Sequence, residues 1–290
     1  MKLLTAAFAL LAAAALPAAA QIAPAAKPRT ILFIGNSFTQ GAHSAVRNYR
    51  ANAVTDLNGD GYGGVPALFK TFTEEAGLNY SVSLETQGGK PLGFHWNERR
   101  QLVDKAWDVV VLQELSTLDR DKPGDPADYR TYAPMFAAMF AKANPKVDVQ
   151  LMATWSRADL VYRPGSPWSG KPVATMALDL RRATDGVKTL SPLFRNVLPV
   201  GEAWNRAFAA GLADPNPYDG VAFGQVDLWT YDHYHASPYG YYLEALIVFG
   251  RVTGVDPTTL GAKERAADEL GLDPRLVPTL QQIARDQLAA

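Results

Sequence analysis

Cysteine is absent from the 290 residues. That removes disulfides, thiol nucleophiles and every thiolate-ligated metal centre. Histidine is nearly absent as well: His43, His95, His233 and His235 are the only four, so an imidazole base has to come from this short set. An excess of charge is also missing. The 28 basic residues against 29 acidic ones leave a net charge of -1, which gives no electrostatic case for nucleic acid or an anionic membrane as partner. Beyond the first twenty residues no apolar run approaches the roughly 20 residues that a membrane span needs.

What is present begins with a targeting segment. Lys2 supplies a short positive region, residues 3–16 an apolar stretch, and Pro17-Ala18-Ala19-Ala20 a small-residue cleavage site. Residues 1–20 therefore read as a signal peptide, which places the mature protein in the periplasm of a bacterium or outside the cell. Residues 21–29, rich in alanine and proline, read as a disordered leader, and 30–290 as one domain. With 48% hydrophobic residues the chain can bury a sizeable core without covalent staples.

Five short runs rich in β-branched and apolar residues, at 30–35, 80–86, 107–113, 147–154 and 196–200, read as strands. Helical patterns at 66–76, 98–105, 129–143 and 173–190 separate them. A further apolar helix is expected at 238–252, with a polar helical tail from Asp256 onward. Strands alternating with helices imply βαβ units, a parallel sheet and an α/β fold. Long loops at 41–64 and 155–171 interrupt the alternation and fall at strand ends, where open α/β sheets place ligands.

The first strand runs into Gly35-Asn36-Ser37. Alone, a serine between strand and helix is more often an N-cap than a nucleophile. A nucleophile needs a base, and Asp232-His233-Tyr234-His235 offers one. A carboxylate three residues before His235 in a turn can hold the ring Nδ1–H and leave Nε2 free for a serine proton. By itself this cluster equally suits a surface loop or a weak metal site. An ester-cleaving serine also needs donors for an oxyanion. The Ser37 amide at an expected helix N-terminus, the backbone of Gly88 or Gly89, and the Gln113 side-chain amide all fall at C-terminal strand ends.

Taken together, Gly35-Asn36-Ser37, Gly88-Gly89, a polar amide after the third strand and Asp232-x-x-His235 resemble the SGNH hydrolases, the GDSL esterases and lipases. The resemblance implies a three-layer α/β/α sandwich with a flavodoxin-like, five-stranded parallel sheet. It also implies a cofactor-independent serine esterase with Ser37 as nucleophile, His235 as base and Asp232 as its orienter. Ser37, Gly89 and Gln113 would form the oxyanion hole, although the family's third block usually carries Asn where this chain has Gln113-Glu114. The segment from Gly88 to His95 makes His95 a candidate substrate contact. An α/β-hydrolase is excluded, since Ser37 lacks the Gly-x-Ser-x-Gly setting.

Trp155, with Trp96, Tyr162, Trp168 and Arg157, falls in or beside expected rim loops, where aromatic faces suit a sugar ring. The expected partner is thus a small-molecule or carbohydrate ester. Two readings from other classes remain open: an inactive glycan-binding protein on the same fold, and a calcium-dependent surface interaction protein. The second rests on Asp56, Asn58 and Asp60, which match the start of an oxygen-ligand calcium loop but lack its closing Glu at position 67, where Ala67 stands. No other metal is assigned.

Overall fold

The computed structural model describes residues 27–290. The expected signal peptide at 1–20 and the leader up to residue 26 lie outside the described residues. Of the leader's end, Arg29 already belongs to the first strand.

Six strands form one parallel sheet: β1 (Arg29–Gly35), β2 (Thr55–Asp56), β3 (Tyr80–Thr86), β4 (Val109–Gln113), β5 (Asp148–Ala153) and β6 (Phe194–Pro199), in the order β2-β3-β1-β4-β5-β6. Apart from β2 these are the five runs expected from the sequence. The sixth strand corrects the five-stranded expectation. It has two residues, Thr55 and Asp56, which pair with Ser83 and Leu84 on the outer edge of β3. So short and polar a segment carries no periodicity, and only the neighbouring strand makes it a strand.

Helices cover both faces, as a parallel sheet requires. Alternate residues explain the layering. Ile31 and Phe33 of β1, Val82 and Leu84 of β3, and Val109 and Val111 of β4 point to one side. There they meet α1 (Gly64–Glu75) and, from later in the chain, the helices at 200–209, 238–253 and 277–289. Leu32, Ile34, Val110, Leu112, Val149 and Leu151 point to the other side. That side is covered by α2 (Leu92–Phe94), α3 (Arg100–Val103), α4 (Ala127–Ala143) and α6 (Ala174–Lys188), a short α5 (Ala158–Val161) lying between the last two in sequence. Burying a side chain of this size stabilises the fold by about 1.5–3 kcal/mol.

The remaining helices are α7 (Val200–Ala209), α8 (Pro238–Thr253), α9 (Arg265–Glu269) and α10 (Val277–Ala289). α8 starts where expected because Ser237 caps it, its side chain accepting from the Gly240 amide with Pro238 in the first turn. It ends on Gly254 at φ 74°, a left-handed position that glycine takes without penalty.

The strand order places the site. β1 sits between β3 and β4, and the chain crosses over it in passing from β3 to β4. In such sheets the crevice for a ligand opens beyond the carboxyl ends of the strands where the winding changes direction. Ser37 follows β1 there, Gly88 and Gly89 follow β3, and Leu115 to Arg120 follow β4.

Candidate active site

Ser37 is held by its neighbours' backbone and by one buried side chain. The Asn36 amide donates to Gln113 Oε1 at 2.9 Å, and the Thr39 hydroxyl donates to the same oxygen at 3.0 Å. Gln40 N donates to Asn36 O, and Ala42 N to Ser37 O. A Cβ on Gly35 would lie 2.6 Å from Gln113 Oε1, so only glycine lets this amide pack under the turn. Phe38 anchors the far side, fully buried and stacked on Trp155 with ring centroids 4.0 Å apart. Trp155 in turn stacks on Trp204 at 4.7 Å.

His235 arrives on the loop before α8. Asp232 Oδ1 accepts from the amides of Tyr234 at 3.0 Å and His235 at 2.9 Å and from the Thr230 hydroxyl at 3.0 Å. This turn leaves Oδ2 for His235 Nδ1, 2.6 Å away. His235 Nε2 then lies 2.9 Å from Ser37 Oγ. The Trp155 indole N–H donates to Tyr234 O at 3.2 Å, tying the loop to the stack that holds Phe38.

The electrostatics favour one proton arrangement. Burial raises the Asp232 pKa, but the hydrogen bonds from the His235 ring and from the backbone of His235 and Tyr234 outweigh it and bring it down to about 2. An ionised carboxylate only accepts, so Nδ1 carries the hydrogen and Nε2 keeps a lone pair toward the serine. His235 itself is shifted below the ordinary histidine value, chiefly by burial and further by His43 and Arg157; Asp232 opposes the shift without reversing it. The shift favours the neutral imidazole.

These groups open into a pocket of about 600 Å³ lined by Ser37, His235 and residues that include Gly88, Gly89, Ser116 and Arg120. Gly89 has φ 67°. Among the described residues, the amides of Ser37 and Gly89 donate to no backbone acceptor. Both are thus available to a ligand oxygen.

No family model and no curated protein matches this chain. Solved structures do. A DUF4886 family protein from Bacteroides uniformis superposes with a TM-score of 0.64 at 18% identity, over 91% of this chain and 95% of that one. A protein from Parabacteroides merdae described as a GDSL-like lipase superposes with a TM-score of 0.52 at 18% identity, over 79% of this chain and 96% of that one. The chain has the SGNH-hydrolase fold.

On this SGNH frame, several expected site residues lie elsewhere. Gln113 is not at the pocket. It is fully buried beneath the Ser37 turn, its Oε1 taken by Asn36 and Thr39 and its amide donating to Glu114 O. The longer side chain folds back under the turn it supports, so the expected oxyanion donor is a brace. The turn after Ser37 also contains no α-helix; the first helical residues are the 3-10 turn Ala45–Asn48. No macrodipole points at Ser37, and its amide acts as a local donor only.

His95 and Trp155, expected as substrate contacts, are both fully buried and absent from the pocket lining. His95 Nδ1 pairs with Glu85 Oε2 at 2.5 Å inside the layer beneath α2. Among the other aromatic candidates, Trp168 is buried and Trp96 packs edge-on against Phe136. Asp56, Asn58 and Asp60 form a closed turn. The Asp56 carboxylate accepts from the amides of Asn58 and Tyr62, Asn58 donates to Thr86 O, and Asp60 is exposed. Both Asp56 oxygens are thus engaged by backbone amides of their own turn, whereas Asn58 Oδ1 is buried without a hydrogen-bond partner.

His43, one of the four candidate bases, was given no role of its own by the sequence. It sits at φ 61°, bonds Tyr231 Oη through Nδ1 at 2.6 Å, and its ring lies 4.4 Å from that of His235. His43, Asp232 and His235 could together ligate a metal. Both nitrogens of His235 are already engaged, however, by Asp232 and Ser37. Ser116, Thr117 and Arg120 were also missed. They follow β4 in a loop without a recognisable motif, and only the pocket brings them into view.

Glu114 lies just behind that loop. Both of its oxygens accept from the Leu92 amide and one from Leu115 N. Burial outweighs these bonds and pushes its pKa up to about 8. One carboxyl group thereby joins the segment after β3 to the segment after β4, the two walls facing Ser37.

Proposed function

We propose that this protein is an exported serine esterase that hydrolyses a carboxylic ester through Ser37, His235 and Asp232. The observation that supports the reading best is the unbroken relay from Asp232 Oδ2 to His235 Nδ1 at 2.6 Å and from His235 Nε2 to Ser37 Oγ at 2.9 Å, opening into a pocket. Its export rests on the pattern of residues 1–20. No helix among the described residues is long and apolar enough to cross a membrane.

In the first half-reaction Ser37 Oγ bonds to the ester carbonyl carbon while its proton passes to His235 Nε2. The carbonyl becomes an oxyanion facing the amides of Ser37 and Gly89. Each such donor typically contributes about 10²–10³-fold in rate. The bond to the alcohol oxygen then breaks, and that oxygen takes the proton from His235. In the second half-reaction water attacks the acyl-serine, gives its proton to His235 and releases the acid, and Ser37 recovers its proton. Asp232 holds the ring and stabilises the imidazolium without taking the proton.

None of the aromatic faces expected to favour a sugar ring lines the pocket, Trp155 and Trp168 being core residues, Trp96 half-buried and Tyr162 exposed elsewhere, so the reading is a small carboxylic ester. Ser37→Ala in the full chain should abolish turnover of 4-nitrophenyl acetate, and a fluorophosphonate should label Ser37 covalently. Wild-type turnover by Ser37→Ala, or labelling elsewhere, would overturn the assignment.

A further inference from the structure

The pocket has a sign. Its lining includes the side chains of Arg120 and Arg157 and the hydroxyls of Ser116 and Thr117, and no carboxylate. Asp232 stands behind His235, and its charge is directed to the imidazole.

The two arginines are not equivalent. Arg157 is balanced: its guanidinium donates to both oxygens of Asp159, at 3.0 and 2.7 Å, and lies flat on Tyr234, 3.5 Å from the ring centroid. Nη1 reaches toward Ser116 Oγ at 3.4 Å. It builds the wall and carries little net charge to a ligand.

Arg120 has no such counter-ion. Among the described residues it forms no ion pair. Its Nη2 donates to Gly89 O at 2.8 Å, a neutral partner. The nearest acid in sequence, Asp119, has Oδ1 held by the amides of Asp121 and Lys122 in a tight turn. The guanidinium is thereby laid beside Gly89, whose absent Cβ would stand 3.4 Å from Nη2. An exposed guanidinium, steadied by its one hydrogen bond to Gly89 O and without a counter-ion among the described residues, borders the place where the ester carbonyl would sit. A guanidinium fork matches a carboxylate in geometry and charge.

We infer that Arg120 selects esters that carry a carboxylate, and that the substrate class of this site is an anionic ester. The inference rests on the esterase reading above and adds the charge of the substrate to it. The carboxylate can belong to the acyl part or to the alcohol part, and both would meet the same fork.

Four esters in two matched pairs test this with the full chain. For an acyl-side anion, 4-nitrophenyl hemisuccinate is compared with 4-nitrophenyl butyrate. For an alcohol-side anion, 4-acetoxybenzoate is compared with its methyl ester. The expected result is a kcat/KM at least about tenfold higher for the anionic member of one pair, the size expected of a charge-assisted bond. The pair that shows it identifies the side. Added salt should shrink the ratio, because Arg120 is exposed to solvent.

Arg120→Gln should bring that ratio close to one, and Arg120→Lys should keep part of it. Equal rates within both pairs in the wild type, or a ratio unchanged in Arg120→Gln, would overturn the inference while leaving the esterase intact. A fall by the same factor for both members of a pair would overturn it too, and would make Arg120 only a support for Gly89. Failure to turn over any of the four esters would remove the esterase reading and this inference together.

Discussion

Two histidines in this molecule hold carboxylates at nearly the same distance, yet only one of them also reaches a serine. His95 Nδ1 lies 2.5 Å from Glu85, and His235 Nδ1 lies 2.6 Å from Asp232. The difference is in the second nitrogen. His95 Nε2 is buried with no hydrogen-bond partner, in a layer closed by α2 and its neighbours. His235 Nε2 meets Ser37 at the wall of a pocket. A carboxylate–imidazole pair becomes a base only where its far nitrogen can reach a nucleophile and the nucleophile can reach a ligand.

The comparison breaks most sharply by deletion. His235→Ala should lower kcat/KM on a short acyl ester by about 10⁴–10⁶-fold with little change in melting temperature. His95→Ala should do the reverse. Removing one member of a buried pair typically costs about 3–5 kcal/mol of stability, while turnover per folded molecule stays within about threefold. If His95→Ala lost activity at full folding, the division of labour drawn here would be wrong.

A milder change sharpens the role of the carboxylate. Asp232→Asn keeps the shape of the turn but not the charge that fixes the tautomer, and should lower kcat by about 10³–10⁴-fold. Recovery at high pH would be the sign that the lost charge, and not the geometry, was responsible.

The next test sets Asp232, at about 2, against Glu114, at about 8. Because the folded value of Glu114 lies above its ordinary 4.5, the fold favours the protonated acid. Its contribution is complete below that ordinary value and is lost as pH rises through 8. Chemical denaturation across this range should show stability falling by up to about 1.4 kcal/mol per pH unit for one such group. Glu114→Gln should flatten the slope. Some slope should persist, because Glu264 is shifted in the same direction, first by burial.

The smallest effect concerns pH and rate. Since His235 is shifted below the ordinary histidine value, the acid limb of kcat/KM should lie below pH 6.5. His43 contributes to that shift, so His43→Asn should move the limb upward. An unmoved limb would show that burial and Arg157 set it without His43.

The same contrast explains what the sequence made legible. The strand leading to Ser37 and the Asp232-x-x-His235 turn are local patterns: a few adjacent residues carry the whole chemical idea, and the structure brings both together. Gln113 was legible only as a residue at a strand end, because its direction depends on which turn packs over it, and that turn comes from 77 positions away in the chain. Trp155 illustrates the same limit. A tryptophan after a strand reads equally as rim or core until the partners on both of its faces are known, and here they are Phe38 and Trp204. His43 carried no signal except nearness to Ser37, since its left-handed backbone is invisible in the sequence.

The column of Phe38, Trp155 and Trp204 works as a caliper. Its rings are nearly parallel, with Phe38 and Trp155 inclined by 4° and Trp155 and Trp204 by 4°, and the gaps between flat rings are set by atomic radii that no loop motion can compress. One jaw carries Ser37, because Phe38 follows it in the chain. The other carries His235, because the Trp155 indole N–H grips the residue before it. The gap between serine and histidine is thus gauged by stacked carbon from the core, and two surface turns with no regular structure of their own inherit the precision of the interior.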